Sequence, residues 1–305
     1  MHAKKIKKKQ NMPEKEHYLS MIAGVQSEIK ADVNVGYFDD DIIMVDNVRL
    51  LSEPSATRLK MNAVAICIRG RVSLELNGVP TLLQANQVLI CPPNTVFSNM
   101  MLSPDFEFKA IFLTDRILHS FLREKMSIWT QVLYVNRMHV ATISPEDIEF
   151  MGLFYRMLNI SINHTDDHPY RTDVVHSLLR AAFLDICGSM EMMVSSGQVA
   201  GGDSLFQRFL QLLNSGPSRH RSVHSYADEL CITPKYLSVV CKNNSGKTAS
   251  EWITEHLLED IRYYLRQTDM SIKEVSHQLG FPNTSFFGKY VKEHFGMTPI
   301  QFRRQ

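Results

Sequence analysis

The sequence predicts an α+β protein in two parts: a barrel or sandwich of short strands with appended helices, then an all-α domain. Three observations carry this. Residues from about 42 to 113 alternate apolar with polar and are broken by turn residues. From residue 144 the apolar period becomes helical. After residue 222 a stretch of sequence repeats itself fifty positions on. With 305 residues there is room for about two domains. Hydrophobic residues at 44% and charged residues at 21% match a globular composition.

The first part opens on "MHAKKIKKKQ", a run with five lysines. No long apolar segment follows, so it does not read as a secretory signal. Residues 1–20 read as a basic, disordered tail, with nonspecific phosphate binding as the alternative. No apolar run approaches the roughly 18–20 residues of a membrane helix, so no membrane role is expected. Then "NAVAICIRGRVSLELNGVPTLLQANQVLICPP" (62–93) alternates, with "RGR" and "NGV" as turns between strands. "CPPN" stops a strand, because proline cannot donate to a sheet ladder. "FEFKAIFL" (106–113) reads as a further strand.

Ser144 is placed to cap a helix that begins at Pro145 with acids in its first turn. In "RTDVVHSLLRAAFLDICGSM", Val174, Val175, Leu178, Leu179, Ala182, Phe183 and Ile186 fall on one helical stripe. Packing within the chain and a subunit seam are equal readings of these two helices. "SSGQVAGGDS" (195–204) reads as a linker. Charge divides with it. Residues 204–305 carry 13 Lys and Arg against 9 Asp and Glu, whereas residues 11–203 carry 15 against 23. A polyanion would therefore bind at the C-terminal end. The five cysteines are scattered, which fits reduced, mostly buried thiols in a cytoplasmic protein.

"NNSGKTAS" (243–250) looks like the end of a phosphate-binding loop, which would make the chain a nucleotide enzyme. Two facts oppose this. That motif needs glycine where Cys241 stands, and a strand where the pattern is helical. The stretch also belongs to the repeat. "YLSVVCKNNSGKTASEWI" (236–253) aligns with "FFGKYVKEHFGMTPIQFR" (286–303). Leu237 meets Phe287, Gly246 meets Gly296, Thr248 meets Thr298, and Lys247 meets Met297. Each copy reads as a helix, a glycine stop and a threonine cap.

Ahead of each copy lies another short helix, giving helix-turn-helix units at 222–245 and 271–295. Small Ala227 and Ser276 suit close helix crossing, Cys231 and Gly280 fall in the turns, and Leu237 and Phe287 anchor the second helices. The second turn is one residue longer. The segment 248–268 between the units would be a helix about 30 Å long, close to the ~34 Å of one DNA turn. Two second helices held so could enter successive major grooves.

Residues 205–305 resemble the DNA-binding domain of AraC/XylS-type transcription regulators. "YADELCITPKYLS", "SIKEVSHQLGFPNTSFFGKYVKEHFGMTPIQFRR" and the long helix between them carry the resemblance. Leu257, Ser276 and Cys231 depart from residues common in the family. The positions matching its base-reading residues are Lys235, Ser238, Val239, Ser285, Gly288 and Lys289. Lys289 leads as a direct reader, whereas Val239 could touch only a thymine methyl. Thr233, Lys242, Lys247, Asn283, Thr284, Lys292, Arg303 and Arg304 are candidates for phosphate, the alternative for the cations being solvation.

The resemblance further implies a cupin-like sensing domain at 21–135 and a helical dimerisation segment at 136–194. Phe97, Phe106, Phe108 and Phe112 are either core or the lining of an apolar pocket; the effector site stays unassigned. A cupin-type enzyme is the rival. It would need imidazoles for a metal, yet no histidine lies between His17 and His119. "HTDDH" (164–168) reads as a polar loop. The expectation is therefore a cytoplasmic, sequence-specific regulator of transcription that acts as an activator, with no catalytic residues, metal or cofactor. Its partners would be double-stranded DNA, RNA polymerase, a second copy and a small-molecule effector. The alternative is a ligand-independent regulator controlled by a protein partner.

Overall fold

In the computed structural model the described residues are 22, 31–50, 56–135, 137–163, 169–196, 204–214 and 222–304. The expected basic tail, the "HTDDH" loop and most of the linker lie outside them. The chain divides into two compact units. One comprises residues 1–115 and 140–149, the other 116–139 and 150–305.

The first unit is built of antiparallel strands in two sheets. The larger has the order β1 (Ala31–Phe38), β2 (Ile42–Leu50), β9 (Glu107–Leu113), β4 (Asn62–Arg69), β7 (Gln87–Cys91), β10 (Val140–Thr142). The smaller has the order β3 (Thr57–Arg58), β8 (Val96–Leu102), β5 (Arg71–Leu76), β6 (Val79–Gln84). Alternation selects the inner face: Val72, Leu74 and Leu76 of β5 are buried while their neighbours are not. They share one core with Ile43, Val45, Ala63, Cys67, Leu89 and Ala110 of the other sheet. Of the two architectures left open by the sequence, the structure has the sandwich; its two sheets do not close into a barrel.

The turns act as their residues require. Asn77 (φ 52°) and Gly78 (φ 80°) join β5 to β6, and a two-residue hairpin of this kind needs positive φ at both positions. Gly70 joins β4 to β5 at φ 73°, where a Cβ would lie 2.5 Å from Ser103 Oγ and 2.8 Å from Phe106 Cα. Phe97, Phe106, Phe108 and Phe112 all pack, partly buried, against the core.

The second unit is helical. Its described α-helices are α1 (Asp115–Leu122, from Arg116 onward in this unit), α2 (Met126–Thr130), α3 (Pro145–Asn163, from Phe150 onward in this unit), α4 (Arg171–Ser195), α5 (Leu205–Asn214), α6 (Val223–Glu229), α7 (Pro234–Ser245), α8 (Ala249–Gln267), α9 (Ile272–Gln278), α10 (Thr284–Phe295) and α11 (Pro299–Arg303). Ser144 caps α3 through the Asp147 N–H. On α4, Val175, Leu179, Phe183, Cys187 and Met190 are buried, whereas Val174 faces solvent. Leu178, Ala182 and Ile186 are half-buried, so of the expected stripe Val174 alone is exposed.

The larger departure concerns residues 116–135, placed by the sequence reading in the sensing domain. They group with the C-terminal helices instead. Phe121 and Trp129 pack against Phe183 of α4. Tyr134 meets the Trp252 ring edge-on at 5.5 Å. Arg123 donates to Asp260 of α8 at 2.6 Å and lies 3.6 Å over the Tyr263 ring. A run rich in Phe, Trp, Val and Leu buries itself where apolar helix faces are on offer, and those belong to α4 and α8.

Candidate nucleic-acid interface

Two helix-turn-helix units make up the C-terminal part, α6–α7 and α9–α10. In each, the residue before the first helix accepts a backbone N–H three residues on: Ser222 from Ser225, Ser271 from Glu274. Ala227 and Ser276 are both buried, as small residues at a helix crossing would be. Cys231 (φ 56°) and Gly280 (φ 76°) hold the same left-handed turn position. Both are exposed, so they shape the turn and do not fill the core. Residues 230–233 form the first turn and 279–283 the second. Leu237 and Phe287 are completely buried.

The repeat continues beyond each unit. Gly246 and Gly296 end α7 and α10 at φ 76° and 72°, their N–H groups bonded to Lys242 O and Lys292 O. Thr248 and Thr298 start the next helices with reciprocal capping, by Glu251 and Gln301 respectively. The Thr248 backbone and hydroxyl donate to Glu251 and hold its carboxyl below the usual range. Ser271 does the same for Glu274. Trp252 and Phe302, equivalent in the repeat, are both buried. The phosphate-loop reading of residues 243–250 therefore fails on structure as well: a helix stop and a helix cap stand there.

Between the units α8 runs 19 residues, about 28 Å at 1.5 Å per residue. Leu257, Ile261 and Leu265 bury one face of it among Val275, Leu279, Phe281, Phe287 and Val291. The second unit is thereby fixed to the spacer. The first is tied to it by Trp252 of α8, whose Nε1–H donates to Ser245 Oγ of α7 at 2.7 Å, while the buried Cys241 thiol, pushed up to about 12 by desolvation, stays a neutral packing group.

The outer face of the second helices carries most of the expected residues. Lys235, Val239 and Lys242 are exposed on α7, with Ser238 half-buried. On α10 Thr284, Ser285, Lys289 and Lys292 are exposed and Gly288 is half-buried. Thr233 caps α7 through the Tyr236 N–H, and Asn283 caps α10 through the Ser285 and Phe286 N–H groups. Arg304 is exposed.

Two candidates are placed otherwise. Lys247 was expected on the surface, yet its side chain is only 11% exposed, paired with Glu255 at 2.7 Å and set 5.5 Å from the Trp252 ring centroid. Arg303 is half-buried and its Nε donates to Leu265 O at the end of α8, tying α11 to the spacer. Both cations serve the fold. The sequence reading also passed over Tyr236 and Phe286, large side chains that stand in solvent at matching places on α7 and α10. The signal was available: each directly precedes a buried anchor, and adjacent helical residues point about 100° apart.

Among the described residues no three His, Cys, Asp or Glu side chains are grouped to hold a metal. Nor, among them, is any helix long and apolar enough to cross a membrane.

Residues 226–305 match the family described as "Helix-turn-helix domain". Among curated relatives, the xylose operon regulatory protein of Haemophilus influenzae is 34% identical over 90 residues, 28% of this chain and 23% of that one. The uncharacterized HTH-type transcriptional regulator YpdC of Escherichia coli is 22% identical over 142 residues, 47% and 50% of the two chains. The chain thus spans half or less of the length of these relatives. Among solved structures, a transcriptional regulator of Chromobacterium violaceum described by its AraC-type DNA-binding domain is 24% identical. It covers 33% of this chain and 90% of its own, with a TM-score of 0.29.

Proposed function

We propose, with an AraC/XylS-type helix-turn-helix domain at residues 226–305 as the premise, that the chain is a sequence-specific regulator of transcription acting on double-stranded DNA. One observation supports this above the others. Two copies of the same unit each turn a cation-bearing second helix to solvent, and a single buried-face helix of about one DNA turn in length holds them. Lys235, Ser238, Val239, Ser285, Gly288 and Lys289 read bases. Thr233, Lys242, Asn283, Thr284, Lys292 and Arg304 hold phosphates, the cap residues through the first-turn N–H groups.

The protein acts in the cytoplasm, as an activator that touches RNA polymerase, and not as an enzyme. It pairs with a second copy through α3, on which Phe150, Leu153, Met157 and Ile160 stand exposed at spacings of three and four residues. The sandwich takes a small apolar effector against its partly buried phenylalanines.

Selection of a random duplex pool by the full chain tests the central reading. A single enriched sequence with two contacted segments one helical turn apart is expected. Lys289→Ala should weaken that site by about 1–3 kcal/mol. Selection of no sequence, or an unchanged site with Lys289→Ala, refutes the assignment. Sedimentation of Met157→Glu against the parent tests the pairing, and thermal shift of the parent with apolar metabolites tests the effector.

A further inference from the structure

We infer that Tyr236 and Phe286 form a matched pair of apolar base readers, each packing on the C5-methyl of a thymine in the major groove. The inference rests on the DNA-binding reading above and adds to it what the two helices select.

The two residues occupy one place twice. Each is the third residue of its helix, Tyr236 in α7 and Phe286 in α10, and each precedes a fully buried anchor, Leu237 or Phe287. The two residues are 54% and 61% exposed. A single exposed aromatic on a surface needs no explanation. Two at the same position of a duplicated unit are a different matter, because burying such a ring is favourable and neither copy buries it. Both are also held in place. The Tyr236 N–H is bonded to Thr233 Oγ1 at 3.2 Å and the Phe286 N–H to Asn283 Oδ1 at 3.0 Å, so the capped first turn fixes the backbone under each ring.

The surroundings point to nucleic acid. Lys235 and Lys242 are exposed on the helix with Tyr236, and Lys289 and Lys292 on the helix with Phe286. Cations beside the rings suit a polyanion and oppose an apolar protein surface. In helix-turn-helix docking the first turn of the second helix is what meets base edges.

The chemistry then narrows the target. Phe286 has no donor or acceptor and cannot read the hydrogen-bond pattern of a base, and what Tyr236 shares with it at the matched position is the ring. The apolar feature that the major groove offers is the thymine methyl. Val239, one turn after Tyr236 and also exposed, extends the apolar strip on α7. On α10 the residue one turn after Phe286 is Lys289, also exposed, so this ring stands beside a cation.

The test uses the full chain and the duplex it selects from a random pool. Each thymine in the contacted segments is replaced singly by deoxyuridine, which removes only the methyl. One methyl is worth about 0.8 kcal/mol, a weakening of about fourfold. The expected result is such a loss at one position in each segment for the parent protein. Phe286→Ala should abolish the loss in one segment, Tyr236→Ala in the other, and Phe286→Leu should keep it. Parent binding that ignores every uridine overturns the inference and leaves the regulator reading standing. So does a sensitivity that both alanine variants retain, including the case where they lose only activation of transcription. Failure of the parent to select any duplex would instead overturn the regulator reading.

Discussion

Replacing Gly288 by alanine should make the protein more stable and a poorer DNA binder. Gly288 is the fifth residue of α10, and its φ is not in the left-handed region. A Cβ there meets no atom within 4 Å, so no steric cost offsets the gain in helix propensity of about 0.8–1.0 kcal/mol. For a unit of this size 1 kcal/mol raises Tm by about 2–4 °C. Gly188 in α4 also has nothing within 4 Å of its Cβ position, and it lies far along the sequence from both helix-turn-helix units. Gly188→Ala should therefore give the same rise in Tm with unchanged DNA affinity. Gly288→Ala should give the rise together with about tenfold weaker binding, since an extra methyl at a packed interface costs about 1–3 kcal/mol. Thermal unfolding and titration of the selected duplex read the two effects separately. A lower Tm for Gly288→Ala would refute the packing argument. A higher Tm with full DNA affinity would refute the assignment of this face to DNA.

Gly70→Ala should destabilise the sandwich by about 2 kcal/mol or more, through both the left-handed backbone and the approach to Phe106 Cα, as read by urea unfolding. Arg123→Ala should cost about 2 kcal/mol; Asp260 is nearly buried, which raises the cost, but Arg123 is 33% exposed, which lowers it. The double variant with Asp260→Ala should lose less than the sum of the singles if the pair is coupled. His256 should make stability depend on pH. Burial foremost, and the Arg123 charge, hold its imidazole below its ordinary 6.5, against the pull of Asp260. The unfolded chain then takes up the proton first, so stability is full above about 6.5 and declines as pH falls through it. His256→Gln should flatten that decline in unfolding measured between pH 8 and 5.5. The lowered carboxyls of Glu251 and Glu274 act in a separate window, below about 4.5.

The C-terminal helices were legible because their signals are local. Gly246 and Gly296 need only their own left-handed φ, and Thr248 with Glu251 or Thr298 with Gln301 needs only three residues of spacing. What escaped depends on distance along the chain. Lys247 pairs with Glu255 eight residues on, across a helix start, where no regular helical spacing applies. Arg303 reaches Leu265 O from 38 residues away. β10 is three residues long and becomes a strand only by pairing with β7. The partition of 116–135 was unreadable for the same reason: its apolar residues show that it is buried somewhere, not against which helix.

That partition sets where the molecule can be cut. The chain leaves the sandwich after residue 115, returns at 140 for β10, and leaves again at 150. A DNA-binding fragment started at the linker would be a contiguous piece of sequence but not a complete body. It would lack Arg123, and so strip Asp260 of its guanidinium, and it would lack Tyr134, and so bare the edge of Trp252. The spacer between the two helix-turn-helix units is thus braced by the segment 116–135, Arg123 standing 137 residues before its partner Asp260. A substitution at Arg123 or Tyr134 is therefore a substitution against α8 itself, through contacts that the linker does not carry.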